Sequence, residues 1–71
     1  MHRPVPPETR AIEFDRSREP NDFFFVNAID ADGAFIDILE EFADADEAFS
    51  FAESLAKASG LPMIIRDDPF T

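Results

Sequence analysis

The side chains able to do chemistry in this chain are nearly all carboxylates. Sixteen are Asp or Glu, one residue is His (His2), and there is no Cys, Tyr or Trp. Covalent catalysis needs a nucleophile with a base beside it. The serines, Ser17, Ser50, Ser54 and Ser59, have no such base near them in sequence, and His2 sits in a proline-bearing terminal arm. Without Cys there is neither a disulfide nor a thiolate metal site. Paired-carboxylate chemistry needs a cleft, and a chain of 71 residues offers little concavity. The expectation is a protein that is not an enzyme, with no catalytic residue, cofactor or metal.

Two motifs test that expectation. Asp30-Ala31-Asp32-Gly33 looks like part of an EF-hand calcium loop. Aligning Gly33 on the invariant glycine places Ala28 and Leu39 at the first and last ligand positions, and neither can ligate. The sequence fits an Asp-Gly hairpin turn instead. Phosphate cradles need clustered glycines, and the only two, Gly33 and Gly60, each punctuate an element. Pro4-Val5-Pro6-Pro7 matches the short PxxP pattern, which is too common to carry a function.

Charge is more informative. The net charge is −10, and its signs are segregated. Arg3, Arg10, Arg16 and Arg18 precede residues 19–56, which hold eleven acids and no Lys or Arg; Lys57 and Arg66 follow. Such a surface repels nucleic acid and anionic membrane and attracts basic protein. No apolar run approaches the ~20 residues that span a bilayer. The start, MHRPVPPETR, has no apolar core of a signal peptide. The expected setting is cytoplasmic, with no direct nucleic-acid or membrane partner.

The elements that must carry these groups follow from periodicity. Residues 1–9 read as a proline-rich mobile arm, 10–67 as a compact domain and 68–71 as a short tail. Residues 10–16 alternate, with Ile12 and Phe14 on one face and Glu13 and Asp15 on the other. Residues 17–22 form a turn by composition. Two further strands, 23–29 and 34–40, flank the Asp-Gly pair. Asp44 is a good N-cap, with Glu47 completing a capping-box-like pattern. Ala45, Ala48, Phe49, Ala52, Leu55 and Ala56 then form a helical stripe that stops at Gly60. Residues 61–66 make a last short strand.

This predicts an α+β domain, β-β-β-α-β, with one helix on one face of a four-stranded, mostly antiparallel sheet. The crossover makes the third and fourth strands parallel, and the strand order expected is 3-2-1-4. Strict alternation places Phe24, Val26, Ala28, Ile36 and Ile38 under the helix. Phe23, Phe25, Ile29, Phe35 and Leu39 are left on the opposite face, interrupted by Asn27 and Asp37. Five large apolar side chains on an uncovered face mark an interface.

Two functions fit. In the first, the chain is a protein-binding module that occupies a basic surface of a partner. Its acidic contact surface would be Asp30, Asp32, Asp37, Glu40, Glu41, Asp44, Asp46, Glu47 and Glu53. Small nucleic-acid mimics, such as phage-encoded inhibitors of restriction or CRISPR effectors, resemble this chain in size and charge; the resemblance implies an inhibitor and rests on no motif. In the second, the Phe-rich face makes a homodimer of a structural domain, and the acids serve solubility alone. The helix segment, with Glu47-Ala48, Phe51-Ala52, Leu55-Ala56 and Gly60-Leu61, is similar to that of many small bacterial β-β-α-β proteins, a likeness that implies no activity.

Overall fold

A computed structural model of the chain describes residues 4–17 and 23–66, the side chain of Ser17 excepted. The strands are β1 (Ala11–Ser17), β2 (Phe23–Ile29), β3 (Phe35–Phe42) and β4 (Met63–Ile65); the helix α1 (Ala45–Ser59) lies between β3 and β4. The sheet has the expected order, β3-β2-β1-β4. β1–β2 and β2–β3 are antiparallel, and β4 runs parallel to β1. The composition-based turn at 17–22 and the tail at 68–71 fall outside the described residues, apart from Ser17 itself, which ends β1.

Local chemistry sets the boundaries. Asp30 makes the β2–β3 turn: its Oδ1 accepts from the backbone N–H of Asp32 and of Ala34, both at 2.9 Å. Gly33 supplies the positive φ of 82° that closes it. Asp44 Oδ2 accepts from the Glu47 N–H at 2.9 Å and so caps α1. Gly60, at φ 68°, ends it, and the Leu61 N–H returns to the Ala56 carbonyl at 2.9 Å. Pro62 has no N–H to give but its carbonyl accepts from Ile12, which starts β4 beside β1.

The helix lies chiefly over β1 and β2. Ala48, Ala52 and Ala56 are buried on its inner face and let the backbone approach the sheet closely. Beneath them Phe14 stacks on Phe24 with ring centroids 6.1 Å apart and meets the edge of Phe49 at 5.7 Å. Ile12, Val26, Ala28 and Leu39 complete this core.

Leu39 is a correction to the alternating reading, which put it on the opposite face. Pairing steps from Val26↔Glu40 to Asn27↔Ile38, and from Ala28↔Asp37 to Ile29↔Phe35. Leu39 and Ile36 are skipped, each the extra residue of a bulge. Both extra side chains go to the helix side: Leu39 is 2% exposed in the core, and Ile36 packs against it with Phe42. The strand's inward residues are thus 36, 39 and 42, a spacing of three rather than two. Ile38, expected under the helix, lines the uncovered face instead.

The described part of the N-terminal arm makes contacts with the domain. Thr9 N–H donates to the Pro6 carbonyl at 3.1 Å, Arg10 N–H to Ile29 at 2.7 Å, and Val5 packs against the helix-side core. Residues 5–9 thus touch the packed unit through a half-buried valine and a buried Thr9, while Pro7 and Glu8 stay exposed.

Candidate functional site

The sheet face turned away from α1, uncovered by any described helix, carries a shallow basin of about 420 Å³. Phe25, Ile29, Phe35 and Ile38 line its apolar side and Glu13, Asp15, Asn27 and Arg66 its polar side, with Gly33 of the turn at its margin. Register brings the polar group together. Glu13 pairs directly with Asn27 across β1–β2 and with Ile64 across β1–β4. Arg66 lies two residues past Ile64, hence on the same face. Its N–H is fixed on the Phe14 carbonyl at 2.9 Å.

The Glu13 carboxylate is consumed by this arrangement. Its Oε1 accepts from Asn27 Nδ2 at 2.9 Å, and its Oε2 accepts from Arg66 Nε at 2.8 Å and pairs with the Arg66 Nη2 at 2.6 Å. Glu13 and Asn27 are 4% and 5% exposed, whereas the Arg66 side chain is 55% exposed and roofs the pair from solvent. The hydrogen bond to Glu13, and then its charge, raises the Arg66 pKa further, so the guanidinium stays charged at any working pH. Because Glu13 fixes the donor end of the amide, Asn27 Oδ1 points away from it. That buried oxygen accepts no hydrogen bond from the described residues.

The alternating reading set Glu13 with Asp15 on the face away from Ile12 and Phe14 and treated Asn27 as an interruption. Two polar residues at partner positions of one hairpin were the signal available in sequence. Arg66 joins them only through the β4 crossover.

The expected apolar set is divided. Phe23 and Phe35 are exposed, at 40% and 58%, and Phe25 is half-buried. Ile29 keeps its expected face but is 1% exposed, so it is floor rather than contact surface. Leu39 is in the opposite core. With ~200 Å² of surface on a free aromatic side chain, Phe23 and Phe35 together leave on the order of 200 Å² open, well below the several hundred that the sequence suggested.

The nine acids expected to form a surface are carried by the β2–β3 turn, β3 and α1. Asp30 and Asp32 sit in the β2–β3 turn, Asp37, Glu40 and Glu41 on β3, and Asp44, Asp46 and Glu47 at the start of α1; Glu53 is on the exposed helix face. Four of them also hold backbone in place. Besides Asp30 and Asp44, Asp37 accepts from the Ile38 N–H at 2.8 Å and Glu40 from the Glu41 N–H at 3.2 Å. These two bonds stand on either side of the Leu39 bulge. Asp32, Glu41, Asp46, Glu47 and Glu53 are exposed. Of the described cations, Arg10, Arg16 and Arg66 lie outside β3 and α1, and Lys57 is in the last turn of α1, at the end away from Asp46 and Glu47.

Among the described residues no cluster of three or more His, Cys, Asp or Glu side chains is placed to hold a metal ion. No described helix is long and apolar enough to cross a membrane. No protein-family model, curated protein or solved structure matches this chain.

Proposed function

We propose that this domain is a small non-enzymatic binding module, working in the cytoplasm, that seats its acidic side on a basic surface of a partner protein. One observation carries the reading. The carboxylates follow the free edge of β3 from the hairpin turn to the helix start, and this edge borders the basin through Gly33, Phe35 and Ile38. Charge and a partly apolar face therefore adjoin, as they do in the rim and core of protein interfaces. The basin's buried carboxylate has both oxygens engaged, which suits a structural role better than proton transfer. A partner surface that otherwise receives nucleic-acid phosphates has the matching charge, which makes an inhibitor of a nucleic-acid-handling protein the form this function would take.

The alternative, a homodimer through the uncovered face, is favoured by the exposed rings of Phe23 and Phe35. Their open area is about a quarter of the ~800 Å² that each partner of a standard interface buries. Two copies would also bring like charge together, which is why the charged partner is preferred.

Affinity capture from lysate with a salt gradient tests the choice, using the wild type beside a variant with Asp32, Glu41 and Asp46 changed to Lys. A nucleic-acid-handling protein that leaves at moderate salt and is not retained by the variant is the expected result. Retention indifferent to both salt and the substitutions contradicts it.

A further inference from the structure

We infer that the basin on the uncovered sheet face is a socket for one arginine side chain of the protein partner. This rests on the reading of the domain as a binding module and names its central contact. Three features specify the occupant.

The first is Asn27 Oδ1, an acceptor on a side chain 95% buried, lining the basin and lacking any donor among the described residues. A buried acceptor left unpaired is costly, so a ligand that brings an N–H gains more than the bond alone. The amide cannot turn to offer its donor instead, because Nδ2 is committed to Glu13 Oε1. The second is charge. Glu13 is bonded to Arg66 through Oε2, and Asp15 adds a second carboxylate to the lining, its charge also acting on Arg66. Asp15 Oδ1 already accepts the Arg16 N–H at 2.7 Å, and the basin as a whole is negative by one unit. A cation is favoured and a carboxylate or phosphate is not. The third is the Phe25 ring, which lines the basin and pairs with Asp15 across β1–β2; Phe35 lines it further along, opposite Ile29. A planar guanidinium stacks on such rings and carries several donors in a fixed fork, which a lysine ammonium does not.

The three features fit together in one pose. The guanidinium lies against the Phe25 ring, donates one N–H to Asn27 Oδ1 and turns its charge toward Asp15. The partner's backbone then runs near the β2–β3 turn, where Asp30 and Asp32 meet further basic residues.

The test is a titration of the 15N-labelled full chain with acetyl-Gly-Arg-Gly-amide, followed by NMR. The same peptide with citrulline, a neutral isostere that retains N–H donors, serves as the control. Shifts should saturate at the Asn27 side-chain amide and the Phe25 and Ile38 backbone amides, with citrulline at least tenfold weaker. Asn27→Leu should weaken arginine binding at least fivefold. Asp15→Asn, which keeps the Arg16 backbone contact available, should weaken it severalfold if the Leu variant fails to fold. Shifts confined to residues 37–47 would overturn the socket while leaving an acidic binding edge intact. Equal binding of arginine and citrulline would overturn the charge argument. An Asn27 amide that responds to neither peptide would mean that water satisfies Oδ1 and that the socket does not exist. An absence of shifts anywhere, with a tetra-arginine peptide as well, would remove both the socket and the binding-module reading.

Discussion

The two faces of the sheet solve opposite problems. The helix face is dry: Ile12, Phe14, Val26, Ala28, Ala48 and Ala52 are each fully buried there, and their contacts are apolar. The other face buries a carboxylate and an amide under a half-exposed arginine and leaves two phenyl rings in water. Apolar burial accounts for folding, since it scales with area and tolerates no voids. A saturated ion pair beside an unsatisfied acceptor is a poor way to gain stability. The covered face is built to hold the domain together, and the other face carries the groups that the proposed partner would meet.

That contrast can be broken by experiment, beginning where the effect is greatest. Phe14→Ala removes the ring shared by Phe24 and Phe49 and should cost about 3–5 kcal/mol. For a domain of this size that is most of its stability, and urea unfolding followed by circular dichroism would show it. Leu39→Ala should cost ~2–5 kcal/mol, and Ile38→Ala clearly less, although strict alternation predicts the reverse. Equal costs at 38 and 39 would argue against the bulge. Ala52→Leu adds volume where the helix backbone approaches the sheet and should cost ~1–3 kcal/mol, visible as a lower Tm. Asp44→Ala deletes the helix cap and should cost about 1 kcal/mol by the same assay. Phe35→Ala, on the uncovered face, should change stability by less than ~0.5 kcal/mol while weakening partner capture. A large stability loss at Phe35 would mean that the two faces are not so different.

The fold was legible where a residue's chemistry forces a local shape. Asp-Gly closes one hairpin, Asp44 starts the helix, Gly60 stops it, and the crossover rule places β4 beside β1. The bulges were not legible, because FIDILEEF has apolar residues at both 36/38 and 36/39. Either spacing buries two of them, and only the helix above decides which. The polar group of the basin was hidden for another reason. Glu13, in an alternating strand, looks like any solvated glutamate, and its burial depends on Arg66, 53 positions away in sequence. The charge segregation, by contrast, is plain in sequence, and the acid-rich segment becomes the β2–β3 hairpin and the helix that follows it.

The bulges of β3 also bear on how this protein behaves when crowded. A free strand edge invites another chain to extend the sheet, and repetition of that step makes a fibril. On β3 the regular ladder of N–H and C=O groups is broken at Ile36 and again at Leu39. Asp37, Glu40 and Glu41 add charge along the same line. A second β3 laid against it would meet a mismatched ladder and its own repulsive charge. Concentrated solutions should therefore remain free of fibrils, so that the chain can keep phenyl rings in water on one face without its edge polymerising.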